Sequence, residues 1–520
     1  WIGIRMSRKS FSSVAVVLLL LILGGISLYM TGEMPPAILA APSGSTVASG
    51  SQEPTVPPPA AADASPKLVA TASTALADKN QKVSPVAPQL PAVIPPGTEL
   101  HTIAKGDTLP GLLRSTLPRT KYMTVPEFEA AFRQLNPSIK GLYPKPGTVV
   151  LIPGIEPQPI VEKSIQVPKD FEVKAVYLTG VMAGSENGLK IIQRWKQAGG
   201  NAVVFDIKDS DGSLSIVFNH PLAPQNKHVP IRNLPKFTRY LHSLGLHAIA
   251  RIAIFRDEYL VTHHPELAVR SRRTGEPWKE NGKFVWTDPS HKEVQNYDIA
   301  LAKYAADSGA DEIQFDYVRF PAEGDQKDAK FAFETEHPKW TRADVIADFL
   351  EKAHSELKPK GVLFSLDVFG VMAWQRSVDL SHTGQDIVRM AQHCDVLSPM
   401  IYPSHFFGMD GYALPGDAPE HFIGTSMDRF AKITSGSGVV LRPWLQAFGW
   451  KTKTYSVDYI LAQVKTSNEK GGIGFLFWNA RNDYAKPFGA MPVMEANKAK
   501  YFRAAKPAGP AKQAQAGGQL

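Results

Sequence analysis

From residue 173 to residue 484, short runs rich in Val, Ile, Leu and Phe alternate with longer stretches whose apolar positions recur every three or four residues. The first texture predicts buried strands and the second amphipathic helices, and their alternation predicts a parallel sheet with crossover helices. Strands are expected at 173–178, 202–207, 247–254, 312–318, 362–369, 396–402, 439–448 and 473–478. Helices are expected at 188–197, 234–244, 292–308, 342–357, 384–393 and 457–469. Eight strand signals fit one (β/α)8 TIM barrel of the α/β class, here bounded at 165–503. A doubly wound open sheet fits less well, because no glycine-rich phosphate loop follows the first strand.

The N-terminal part has other textures. Residues 14–30 are almost wholly apolar and follow Arg8 and Lys9. This predicts a transmembrane anchor over 11–30, with residues 1–10 as a basic cytoplasmic segment and the rest of the chain exported. Trp1 to Arg5 precede Met6 and read as translated upstream sequence. Small residues at 37–41 offer a signal-peptidase site, whose use would make the product secreted. Residues 31–98, rich in Pro, Ala, Ser and Thr without a hydrophobic period, read as a disordered linker. Residues 504–520 read as a disordered tail. Between linker and barrel, 99–154 begins with an alternating strand and a Gly106-Asp107 turn, passes through two amphipathic segments and closes on an apolar strand, a small βααβ pattern.

Composition changes this picture little. The 520 residues carry a net charge of +8, mild for the length, and no Lys/Arg cluster with interleaved aromatics argues for a nucleic-acid partner. The single cysteine, Cys394, excludes an intramolecular disulfide and a cysteine-based zinc site. His263 and His264 are adjacent and point apart in regular structure, so no metal is expected there, and no motif calls for a cofactor. Ser365 and Ser398 lie in strands without a nucleophile-elbow sequence.

The candidate chemistry sits at the C-terminal strand ends, the active-site face of a TIM barrel. Those ends carry Asp206 and Lys208, then Arg251, then Asp316 with Tyr317 and Arg319, and then Asp367. Tyr402 with His405 two residues past Pro403, Gln446, and Trp478 with Asn479 complete the ring. A carboxylate inside a buried strand is costly unless paired. Asp316 and Asp367 on neighbouring strands are what glycoside cleavage needs, one donating a proton and the other acting as nucleophile or base. The remaining polar groups would position a sugar, with Trp374, Trp444 and Trp450 adding stacking surface.

Two resemblances follow from these residues. Lys105-Gly106-Asp107-Thr108-Leu109, Asn136-Pro137 and the closing Pro146-Gly147 to Pro153 resemble the LysM module, which implies binding to N-acetylglucosamine polymers. The segment 114–126 is longer than the usual link between that module's helices. The span 173–484 resembles the bacterial exported "putative glycosyl hydrolase" barrel family, distantly related to α-amylases. Asp311 to Pro321 carries that resemblance best, with Asp206-Ile207-Lys208-Asp209, Leu366-Asp367-Val368-Phe369 and Phe477-Trp478-Asn479-Ala480 beside it. It places Asp316 at the amylase nucleophile position, but Gln314 stands where amylases have Arg, and Asp367 where they have Glu. The chitinase strand pattern is absent as well. The expected protein is a membrane-tethered cell-envelope glycoside hydrolase acting on an aminosugar-containing wall or exopolysaccharide glycan. The alternative is a non-catalytic glycan-binding scaffold between membrane and wall.

Overall fold

A computed structural model describes residues 94–226 and 228–503. The expected transmembrane segment, nearly all of the linker and the tail lie outside the described residues. Among the described residues no helix is long and apolar enough to cross a membrane.

Eight parallel strands close into a barrel. They are β1 Val173–Leu178, β2 Ala202–Lys208, β3 His247–Ala253, β4 Glu312–Asp316, β5 Leu363–Phe369 and β6 Val396–Ile401, followed by β7, in two pieces, Val440–Leu441 and Trp444–Gln446, and β8 Gly474–Trp478. Each pairs with the next in sequence, and β8 returns to β1 with Gly474 opposite Val173. A Cβ at Gly474 would stand 2.1 Å from the Val173 carbonyl oxygen, so the seam closes only on glycine. Helices α1 Glu186–Gln197, α2 Leu234–Ser243, α3 Lys292–Asp307, α4 Arg342–Leu357, α5 Ser377–Thr383, α6 Pro419–Ile433, α7 Val457–Glu469 and α8 Ala485–Ala496 follow the strands in turn. Their apolar faces and the outward side chains of the strands form one continuous core, with Trp195, Phe205, Phe237, Phe349 and Phe477 among its fully buried members.

The departures from the expected elements have local causes. The strand expected at 439–448 is broken because Pro443 has no N–H to give to a ladder. Helix α6 was not expected: Gly424, Thr425 and Ser426 dilute its signal, although Phe422, Met427 and Phe430 line one buried face. Helix α8, also not expected, contains Gly489 and Pro492, which read as breakers, yet Ala490, Met491 and Met494 bury it. The helix expected at 384–393 shrinks to a single turn, Ile387–Met390, while α5 forms upstream of it.

Residues 99–152 form the small unit. Strand Glu99–Thr102 pairs antiparallel with Val149–Ile152, and helices Leu109–Thr116 and Val125–Leu135 lie between them in sequence. Thr108 and Thr124 cap the two helices through their side chains. Leu109, Leu113, Phe128, Phe132, Val150 and Ile152 make a separate core. The extra length between the helices is a 3-10 turn, Leu117–Arg119. Asn136 ties the last helix to the closing strand, donating to Phe132 and Leu151 carbonyls at 2.8 Å and accepting from the Leu151 N–H at 2.8 Å. Asn136→Ala therefore removes three hydrogen bonds, one buried and two half-buried, and is expected to cost this unit roughly 1–3 kcal/mol. The check is faster hydrogen exchange at the Leu151 amide with barrel amides unchanged.

Candidate active site

Each of the eight strands delivers one side chain to the C-terminal mouth. In order these are Tyr177, Asp206, Arg251, Asp316, Asp367, Tyr402 just past the end of β6, Trp444 and Trp478. Together with the loops beyond them, all but Asp206 line a cleft of about 480 Å³.

Arg251 is the hub. Its Nη1 donates to Asp206 Oδ1 at 2.5 Å and its Nη2 to Asp316 Oδ2 at 2.5 Å, while its Nε stands 3.8 Å from Asp367 Oδ2. Tyr177 donates its hydroxyl to the other oxygen of Asp206. Burial pushes the Asp206 carboxyl up to about 7, against the pull of Arg251. These paired bonds fix the guanidinium plane, and with it the place of Asp316.

Asp316 ends its strand because Tyr317 turns left-handed, with φ of 58°. This conformation is uncommon for a bulky residue, and strain of that kind is found where a site requires it. It lets the Tyr317 N–H donate to Asp316 Oδ1 at 2.6 Å, so both carboxylate oxygens are held. Asp367 sits in a different environment. It is 1% exposed, and its Oδ1 accepts from Trp444 Nε1 at 2.6 Å while Oδ2 has no hydrogen-bond partner. Burial first, and the charge of Asp316 second, push its carboxyl well above the ordinary range. The free Oδ2 is the atom on which its proton is naturally placed.

Tyr402 and Trp478 stack with centroids 5.5 Å apart, and His405 lies 5.4 Å from Tyr402 and 5.2 Å from Trp450. Burial pushes His405 down to about 3, so it is a neutral imidazole at the cleft wall. Arg319 is clamped among Trp286, Tyr317 and Phe369 at 4.5–5.3 Å.

Of the residues expected to bind substrate, Arg251, Tyr317, Arg319, Tyr402, His405 and Trp478 line the cleft with Asp316 and Asp367. Asp206 lies beneath it, bonded to Arg251. Three stand elsewhere. Lys208 turns outwards, fully buried, to Asp257 at 2.8 Å and Asp298 at 3.0 Å, because a register shift between Asp206 and Lys208, which pair with the consecutive residues Arg251 and Ile252, takes it off the face that regular alternation would share with Asp206. Gln446 is fully buried and spends its amide on Ser404, Phe448 and Thr452. Asn479 holds the loop after β8 through Ala447 and Arg481. Sequence reasoning missed Tyr177, although the strand-end rule applied to β1 would have found it. It also missed Glu280 and Glu323, which reach the cleft from loops where no spacing marks them.

Residues 175–484, which span all eight strands from β1 onwards, match the family described as "Putative glycosyl hydrolase domain". The chain belongs to this family. Among solved structures, a hypothetical protein from Ruminiclostridium thermocellum ATCC 27405 is 34% identical, over 37% of this chain and 97% of its own, with a TM-score of 0.33. The PgaB (BpsB) glycoside hydrolase domain from Bordetella bronchiseptica is 16% identical, over 64% of this chain and 99% of its own, with a TM-score of 0.45. The spore cortex-lytic enzyme SleL of Bacillus megaterium QM B1551 is 13% identical, over 78% of this chain and 86% of its own, with a TM-score of 0.38. No curated protein sequence matches the chain. Membership of the glycosyl hydrolase family gives the carboxyl pair at the barrel mouth its context.

Proposed function

We propose that the barrel hydrolyses a glycosidic bond in an aminosugar-containing cell-wall or exopolysaccharide glycan, with Asp316 as nucleophile or base and Asp367 as acid. One observation carries this reading: the two carboxyls face the same guanidinium inside one cleft, yet only Asp316 is hydrogen-bonded to it. A buried carboxyl pushed above its ordinary range beside one held by a guanidinium is the working arrangement of an acid/base pair. Arg251 Nη2 lies 2.5 Å from Asp316 Oδ2 and Arg251 Nε 3.8 Å from Asp367 Oδ2, so the two carboxyls are close neighbours, as a glycosidase pair requires. A pyranose ring lying on Trp478 and Tyr402 would present its bond to them, with Tyr177, Arg319 and His405 around it.

The small unit, LysM-like in its βααβ order, would hold the enzyme on N-acetylglucosamine polymers. The N-terminal segment would tether it in the envelope through a membrane anchor, or release it if cleaved. The scaffold alternative keeps the barrel as a binder only. It has support in Asp367 replacing the amylase Glu, but it gives no account of a carboxyl kept protonated beside a paired one.

The test is release of new reducing ends by the full chain from peptidoglycan, poly-glucosamine, chitin oligomers and α-glucan. Saturable binding without cleavage of any of them at any pH would leave only the scaffold. A finer expectation concerns Trp444→Phe, which deletes the N–H that Asp367 Oδ1 accepts. That bond favours the charged carboxylate, so its loss raises the Asp367 pKa further, and the alkaline limb of the pH–rate profile moves to higher pH. Turnover at the optimum changes by less than about tenfold, since the carboxyl itself remains.

A further inference from the structure

The aromatic wall of the cleft continues past the cleft itself. Trp478 and Tyr402 stack at the mouth with their planes 28° apart, and His405 lines the same wall. Trp450, in the loop after β7, packs against the far side of this group and is not part of the cleft lining. The rings of Trp478, Tyr402, His405 and Trp450 therefore run in file from mouth to rim, with successive centroids 5.5, 5.4 and 5.2 Å apart. Trp450, the last of them, is only half-buried.

The chain holds this rim by three independent devices. A buried amide is costly unless its bonds are made, and those of Gln446 all go to the loops after β6 and β7. Its Oε1 accepts from the Ser404 N–H at 3.1 Å, while Nε2 donates to the Phe448 carbonyl and to Thr452 Oγ1, both at 2.9 Å, and Thr452 in turn donates to the Trp450 carbonyl at 3.0 Å. From the β6 loop, Asp417 Oδ1 accepts from the Lys453 and Thr454 N–H groups at 2.7 and 3.0 Å. Lys451 is left-handed, with φ of 49°, and its ammonium lies over Trp450 at 4.5 Å and over Phe407 of the β6 loop at 4.7 Å. That backbone conformation is uncommon for a long side chain and is found where a site requires it. None of these contacts reaches Asp316 or Asp367, so they fix the rim and not the acid/base pair.

We propose that Trp450 is an outer sugar subsite. It takes a further unit of the glycan whose reacting part lies on Trp478 and Tyr402, so the barrel prefers a chain that runs out between the loops after β6 and β7 over a short oligomer. The apolar face of a pyranose packs on an indole as it does on the rings at the mouth. Because Gln446 and Lys451 hold the ring in place beforehand, little freedom is lost when the sugar arrives. This assignment rests on the glycan-cleaving reading above, deepens it to a preference for extended chains, and fails separately from it.

The experiment measures binding of N-acetylglucosamine oligomers and of glucosamine oligomers, each from about two to about six sugars long, to the full chain carrying Asp316→Asn, by calorimetry. Cleavage of the same oligomers by the unaltered chain is read in parallel. In the series that binds, affinity is expected to rise roughly tenfold or more from the shortest oligomer to the longest. Adding Trp450→Ala should shrink that gain to within about twofold, and Trp450→Phe, which keeps a ring, should retain at least about half of it. Binding by the small N-terminal unit is common to all these chains, so the difference between them reports the rim. An affinity that does not grow with length, a gain that survives Trp450→Ala, or no binding of either series overturns the proposal. Equal loss of the gain in the Ala and Phe variants overturns it too, since the effect would then belong to the loop fold and not to the ring. Cleavage whose kcat/KM is independent of length would remove the subsite and keep the hydrolase. Length-dependent binding that Trp450→Ala abolishes, without cleavage, would keep the subsite and remove the hydrolase.

Discussion

Asp316→Asn and Asp367→Asn are each expected to lower turnover on the cleaved glycan by roughly 100- to 10,000-fold per folded molecule. The two losses differ in kind. Asp316 is held by Arg251 Nη2 and the Tyr317 N–H, so its amide analogue keeps a carbonyl in place but loses the charge that attacks or activates water. No improvement in the leaving group can restore that. Asp367 carries its proton on an oxygen without a protein partner, and its amide analogue keeps the Trp444 bond while losing the acid. A substrate with a good leaving group needs less proton donation, so it should recover much of the Asp367→Asn loss and little of the Asp316→Asn loss. The pH dependence carries a sign. Asp367 is raised above its ordinary value, so the active protonated form persists to higher pH and activity falls as pH passes the raised pKa. That alkaline limb should flatten in Asp367→Asn and stay in Asp316→Asn. Equal activity of Asp316→Asn and the unaltered chain would remove Asp316 from the mechanism.

The barrel was legible in the sequence because nearly every strand residue is buried, so that short runs rich in Val, Ile, Leu, Phe and Ala stand out even where β3 and β4 are interrupted by polar residues. Strand starts were read to within one residue for that reason. The two helices not foreseen, α6 and α8, are those in which Gly424, Gly489 and Pro492 contradict the apolar period, and tertiary burial overrides local preference there. The carboxyl pair was visible because Asp316 and Asp367 stand near the C-terminal ends of neighbouring strands, on the side where a barrel opens its site. The division of roles was not, since it depends on what surrounds each acid: Trp444 reaches Asp367 from β7 and Arg251 reaches Asp316 from β3. The strand-end rule also has a limit. Strict alternation puts Lys208 on the same face as Asp206, and the register shift between them, which turns Lys208 towards Asp257 and Asp298, leaves no mark in the sequence. Loop acids such as Glu323 carry no periodic signature, so their place in the cleft emerges only from the folded loops.

At the opposite end of the barrel, Glu312→Gln is expected to destabilise the fold by roughly 3–5 kcal/mol without touching the cleft. Glu312 opens β4 fully buried and accepts from Arg442 Nη1 at 2.9 and 2.8 Å, with His247 at 3.2 Å. Arg442 is itself fully buried, and its Nε and Nη2 already lack partners, so neutralising the glutamate leaves a guanidinium with no compensating charge. Burial alone would raise the Glu312 carboxyl, but Arg442 and then His247 outweigh it and hold the carboxyl down at about 2. A depressed carboxyl stabilises the fold above its unfolded pKa, and that contribution is lost as pH falls through the folded value. The loss therefore runs from about pH 4.5 down to about 2 and amounts to roughly 3 kcal/mol. Chemical denaturation across that window should show the decline in the unaltered chain, and its absence in Glu312→Gln combined with Arg442→Met. The double substitution removes both charges from the interior and should recover most of the stability lost in the single one. Glu312 does not line the cleft, so activity per folded molecule should change by less than about tenfold in Glu312→Gln, and any shift of the alkaline limb should be towards lower pH, since the Glu312 charge is one of those raising Asp367. A single variant as stable as the unaltered chain would mean that Arg442 finds water or another anion when its partner is gone.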